Sequence, residues 1–116
     1  MHHGLKAGDF LIIQIEAGYV MLRLLAIDEE PAAMHVAAYS DYFHDVETAE
    51  AAAVSSRELR MSIEHVALTE RAFEATQAAP IANRELTDKE LEPLENWRRG
   101  EMNISDTSIR LLLGLR

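Results

Sequence analysis

The 116-residue sequence contains no cysteine, three prolines and few aromatic residues. Without cysteine there is no disulfide, no thiol nucleophile and no thiolate metal ligand. The absence fits a reducing, cytoplasmic setting. No apolar run approaches the roughly 18 residues of a membrane helix. No basic segment followed by an apolar one opens the chain as a secretory leader would. Also missing are a glycine-rich phosphate loop, a dinucleotide-binding fingerprint and a nucleophile elbow. No histidine pair falls at the spacing of a metal-binding helix. These gaps lead us to expect no catalytic residues, no metal and no cofactor.

Positive charge is scarce. Twenty acidic residues against eleven basic ones give a net charge of −9. The excess is uneven: residues 1–40 carry 5 acids and 2 bases, residues 41–76 carry 8 and 3, and residues 77–116 carry 7 and 6. Such a surface repels phosphate backbones and speaks against nucleic acid. It would speed the encounter with a basic protein, or simply keep the chain soluble.

What is present is apolar patterning. With 48 % hydrophobic residues and no low-complexity tract, the sequence reads as a single globular domain over residues 1–116. Residues 1–5, with the paired His2 and His3, are expected to be a flexible start without functional weight. Three short runs, residues 10–15, 19–27 and 34–39, are rich in β-branched and aromatic residues and read as antiparallel strands. Gly8-Asp9 is a turn signal before the first run. Gly18 is expected to supply a positive φ to the first hairpin, and Pro31 to break the chain before the third strand. Alternation places Leu11, Ile13 and Ile15 on one face of the first strand and Phe10 and Ile12 on the other. In the second it separates Val20, Leu22, Leu24 and Ala26 from Tyr19, Met21, Arg23, Leu25 and Ile27. Both faces are apolar, so the sheet must be covered or curled on itself. The predicted class is α+β: a strongly bent antiparallel sheet, or a small SH3-like barrel, with two or three short helices.

Helix signals follow. Asp45 is placed to cap an alanine-rich helix with early glutamates. Residues 59–68 alternate like a strand, with a slip near Glu64-His65 that reads as a bulge. Thr69 could cap a turn of helix, or the strand could end there; residues 80–82 could form an edge strand. Thr87 and Glu90 form a capping box, with Leu86 and Leu91 at the staple positions. Pro93 predicts a kink before the helix ends at Gly100. Trp97 is expected to plug the space between this helix and the sheet. Residues 101–116 read as a closing segment, with Asp106 capping a helix or residues 109–113 forming a strand.

Two groups of residues are candidate sites. Asp41, Asp45, Glu47 and Glu50 are expected on one exposed surface that could meet a basic partner. Arg23, His35, Tyr39 and His65 could line a pocket at a barrel mouth. Arg23, on an apolar face, either snorkels to an edge or is a buried cation holding a carboxylate. Asp41, His44 and Asp45 lie close enough in sequence to suggest a metal, but their spacing matches no closed site.

The order of some features resembles a bacterial family, immunity protein 26, of polymorphic toxin systems. The residues that carry the resemblance are Lys6, Gly8-Asp9-Phe10, Gly18-Tyr19 and Arg23-Leu24-Leu25, then His65-Val66-Ala67-Leu68, Phe73 and Pro80-Ile81-Ala82-Asn83, and the helix with Leu91 and Trp97. It spans residues 6–99; the last residues have no counterpart. The resemblance implies a non-catalytic protein that neutralises a toxin by masking its surface; from the residues themselves a cytoplasmic monomer or homodimer is expected. The rival expectation is a small-molecule or metal-dependent enzyme with its site at the barrel mouth.

Overall fold

The computed structural model describes residues 4–55 and 59–115. Most of the expected flexible start, including His2 and His3, lies outside them. Leu5 is described, and it packs against the core. The element order is β1 (Asp9–Ile15), β2 (Gly18–Glu29), β3 (Ala32–Phe43), α1 (Val46–Val54), β4 (Met61–Leu68), α2 (Glu70–Thr76), β5 (Ala79–Asn83), α3 (Asp88–Arg99) and α4 (Ile109–Leu112). The strands form one antiparallel sheet in the order β4-β3-β2-β1-β5. The fold is α+β, as expected. The sheet stays open with β4 and β5 at its edges, so the barrel alternative is not formed. Helices on both faces bury the apolar surface that closure would otherwise have to hide.

Alternation sorts the side chains into two layers. On one face Leu11, Ile13, Val20, Leu22, Leu24, Met34 and Val36 pack with Ala72 and Phe73 of α2 and Ile109 of α4. On the other, Phe10, Ile12, Met21 and Tyr39 pack under α1, and Leu25 and Ala37 pack under Leu94 of α3. Beyond Leu25 the expected faces exchange. The pairing jumps from Leu24 opposite Val36 to Ala26 opposite His35, which leaves Leu25 as an extra residue. Ala26 therefore joins the α3 side and Ile27 the α2 side. A second bulge behaves alike: Ile63 pairs with Ala38 and Val66 with Val36, so three steps on β4 match two on β3. Ile63 and Val66 both pack on the α2 side. The two residues between them, Glu64 and His65, turn together toward the other face, where one lines a cleft and the other meets His35.

Two glycines are required by their surroundings. Gly8 has φ +93°, and a Cβ there would lie 2.6 Å from the Arg84 carbonyl. Gly18 does not have the expected positive φ; the main chain of Phe43 and the Tyr42 ring crowd its Cα instead, and the turn falls on Glu16-Ala17.

The caps largely follow the sequence. Asp45 accepts from Thr48 N, Thr69 caps α2, and Thr87 and Glu90 complete both halves of the capping box. There are four helices among the described residues, one more than the upper expectation, because residues 109–112 make a single turn. Its cap is Ser108; Asp106 instead takes Thr69 and Arg71. Helix α3 runs continuously from Asp88 to Arg99 with Pro93 inside it. Proline removes one backbone bond there, and side chains near both ends of α3 are anchored to β2. Within the closing segment Ser105 bridges to Leu68 beside β4. Leu113 packs on the core while Leu111 and Leu112 remain exposed.

Leu24, fully buried, tests this arrangement. Leu24→Ala is expected to lower stability by about 2–5 kcal/mol in urea unfolding. A variant that unfolds like the parent would contradict the register of β2.

Candidate functional site

Arg23 is the largest fully buried side chain among the described residues. It projects from the middle of β2 toward α3, between the packing under α1 and the packing under α3. Its Nη1 lies 2.6 Å from Oε2 of Glu90, in the first turn of α3. Nε donates to the Gly8 carbonyl at 3.1 Å and Nη2 to the Arg84 carbonyl at 2.6 Å. The guanidinium lies 4.1 Å from the centre of the Phe10 ring. The cation is thus buried and paired, not snorkelling. A charge can stay in such a place only when its donors are matched, and here they are. Glu90 serves twice, since its other oxygen accepts from Thr87 N in the capping box.

A second polar group pins the other end of α3. Arg98 grips Asp28 with two parallel bonds of 2.9 Å. Oδ2 of Asp28 lies 2.8 Å from Nε2 of the buried His35, whose Nδ1 lies 2.9 Å from Nε2 of His65. A carboxylate only accepts, so His35 donates through Nε2 and accepts through Nδ1, and His65 supplies the proton between the rings. Trp97 packs edge-on to His35 and donates to the Asn103 carbonyl, half-plug and half-tether. The bulge at Leu25 makes this group possible, because it turns Asp28 to the α3 side. Charge and burial act in opposition here. The Arg98 guanidinium holds the Asp28 carboxyl below its usual range, with His35 assisting. Burial pushes His35 down against the pull of Asp28, and burial beside His35 pushes His65 down to about 4. Both histidines are neutral near pH 7.

Between β4 and α3 an open cleft of about 740 Å³ is lined by Tyr39, Leu59, Met61, Ser62, Glu64, Arg84, Lys89, Glu90, Glu92 and Pro93. Of the four residues expected in a pocket, only Tyr39 reaches it. Its hydroxyl is pushed up by burial, with the nearby Arg23 opposing. Arg23, His35 and His65 lie on the same side of the sheet but are committed to protein partners. Every buried side-chain nitrogen and oxygen among the described residues has a hydrogen-bond partner. No three metal-ligating side chains converge among those residues. The sequence offered Arg23, His35 and His65 as pocket residues, and the structure instead ties each to protein partners. Nothing in the sequence pointed to Asp28 and Arg98, because the bulge that gathers them depends on strand pairing.

The four acids do not share one exposed surface. Asp41 is buried at 5 % exposure and accepts from Arg60 N at 2.6 Å. Asp45 is exposed but spent on the α1 cap, which lowers its pKa through Thr48. Glu47 and Glu50 are exposed on α1. With Asp41 turned inward, Asp41, His44 and Asp45 gather no cation site.

No family model matches the chain, and no curated protein or solved structure matches it either.

Two predictions follow from these networks. Arg23→Ala is expected to cost about 3–5 kcal/mol, because it strands Glu90 and the loop carbonyls. Glu90→Gln, which leaves the guanidinium buried without its carboxylate, is expected to be clearly destabilising as well. A Glu90→Gln variant that unfolds in urea like the parent would remove the pair from the constraint. The histidines predict a pH dependence. Their folded pKa values lie below the unfolded value of about 6.5, so their contribution is complete above that pH and fades as pH falls toward 4. Asp28 acts lower: its contribution fades only as pH falls through its own depressed pKa. His65→Gln, which can still donate to His35, is expected to flatten the pH 6.5–4 slope measured by urea unfolding at stepped pH. An unchanged slope would remove His65 from the titrating group.

Proposed function

We propose that the chain is a non-catalytic protein-binding module that acts by covering a partner's surface, most concretely an immunity protein that neutralises a toxin. The observation that supports this best is the internal commitment of its buried polar groups. Arg23, His35, His65 and Asp28 would stand out as reactive side chains, and each is bonded to a partner within the protein. An enzyme needs a group left over to meet substrate. The resemblance to immunity protein 26 points the same way, although no family model supports it. The acidic sequence favours a basic partner, with Glu47 and Glu50 on α1 as the exposed carboxylates for early encounter. A cytoplasmic setting is in keeping with the lack of cysteine. A small-molecule enzyme is the second reading, and the volume of the cleft, within the range of ligand sites, is the observation in its favour.

The test is co-expression with a large toxin encoded beside it. Growth should be restored and a complex should survive purification. Glu47→Lys/Glu50→Lys should then slow association in stopped flow and flatten its salt dependence, since attraction between exposed charges fades beyond a Debye length of about 10 Å at 0.1 M salt. Persistent toxicity without a complex would refute immunity, and an unchanged rate would remove α1 from the encounter surface.

A further inference from the structure

We propose that the half of α3 beyond Pro93 is a proton-operated flap, which lifts from the sheet when the His35–His65 pair beneath it takes up charge. Trp97 covers both rings, its centroid 4.7 Å from that of His35 and 5.7 Å from that of His65. The two imidazoles stack 5.1 Å apart and share one hydrogen bond, between Nδ1 of His35 and Nε2 of His65. Such a bond needs a lone pair on one side. A first proton can settle on the pair without breaking it. A second sets N–H against N–H across 2.9 Å, under a cover that keeps water away. The charged groups facing the pair are Asp28 from β2 and Arg98 from α3. The rings themselves come from β3 and β4, and no other charged side chain bonds to them among the described residues. Burial disfavours charge on either ring, Asp28 favours it on His35, the His35 ring opposes it on His65, and Arg98 opposes it on both. The closed flap is therefore favoured above the ordinary histidine pKa of about 6.5, and opening gains as pH falls below it.

Three features make the opening local. Pro93 lacks the N–H that would bond the Lys89 carbonyl, so α3 is weakest in its middle. The half before Pro93 is held separately, by Glu90 on Arg23, in a pair that contains no histidine. The half beyond it is held by Arg98 on Asp28 and by Trp97 on the rings. Oδ2 of Asp28 serves both Arg98 and His35, so a charged His35 competes with the guanidinium for one oxygen and repels it. Lifting the flap returns water to the charged rings at the cost of these contacts alone, and the core on the other face of the sheet is untouched.

Trp97 is the only tryptophan, so its emission reports on this half of the helix. The experiment follows Trp97 emission, acrylamide quenching and amide exchange on the intact protein as pH is lowered from neutrality to the His65 pKa of about 4. The emission should shift to the red and become several-fold more quenchable while the amides of β1 and β2 stay protected. His65→Gln, which can still bond His35, should make the transition shallower. His44→Gln, at an exposed histidine outside the pair, should leave it unchanged. Pro93→Ala, which restores the backbone bond, should move the midpoint to lower pH. A constant Trp97 signal over that range would overturn the proposal, as would a change seen only together with loss of strand protection. Equal steepness in His65→Gln, an altered transition in His44→Gln, or an unchanged midpoint in Pro93→Ala would each overturn it too.

Discussion

The buried guanidinium of Arg23 is the constraint on which one face of the fold depends. A cation removed from water must be matched donor by donor, and its matches come from three places: Gly8 before β1, the loop after β5, and the first turn of α3. The pair with Glu90 joins residues 67 positions apart. Gly8 is tied into the same knot, because its carbonyl accepts from both Arg23 and Arg84 N and a side chain there would collide with the Arg84 carbonyl. Replacing such a group by apolar packing need not destabilise a protein, but deleting one member strands the others. The arrangement thus specifies where α3 lies more than it adds net stability.

Arg98 and Asp28 provide the second fastening at the far end of the helix. Between them Leu91, Leu94 and Trp97 bury the apolar stripe of α3 against Leu25 and Ala37. With both ends ionically anchored and the middle packed, α3 can run through Pro93 without a break. It also becomes a fixed wall for the cleft, whose opposite wall is β4. The same fastenings consume the residues that would otherwise suggest chemistry, and the proposed function rests on that commitment.

Local features were legible where they depended on a few neighbours. The caps at Asp45 and Thr87 need only a side-chain oxygen and the next turn of backbone, and both form; Thr69, left open between a cap and a strand end, caps α2. The slip at Glu64-His65 was visible because alternation itself failed there. Asp106 misled because Ser108 competes for the same helix start, and Arg71, distant in sequence, claims the carboxylate. Asp41 misled because a carboxylate after a strand reads as solvated, whereas Arg60 N is brought to it by the β3–β4 pairing.

The sequence by itself determined four of the strands, the helices α1 and α3, the assignment of apolar residues to two layers as far as Leu25, and the excess of acid over base, while α2, α4 and β5 stayed open. Each follows from periodicity, capping or composition, which are local or additive properties. Tertiary structure alone decided that the sheet stays open, that Arg23 is held by Glu90, and that Asp28, His35, His65 and Arg98 meet. Those outcomes turn on strand register. One extra residue at Leu25 exchanges the faces of everything beyond it, and the strength of a charge depends on which groups that exchange brings within reach.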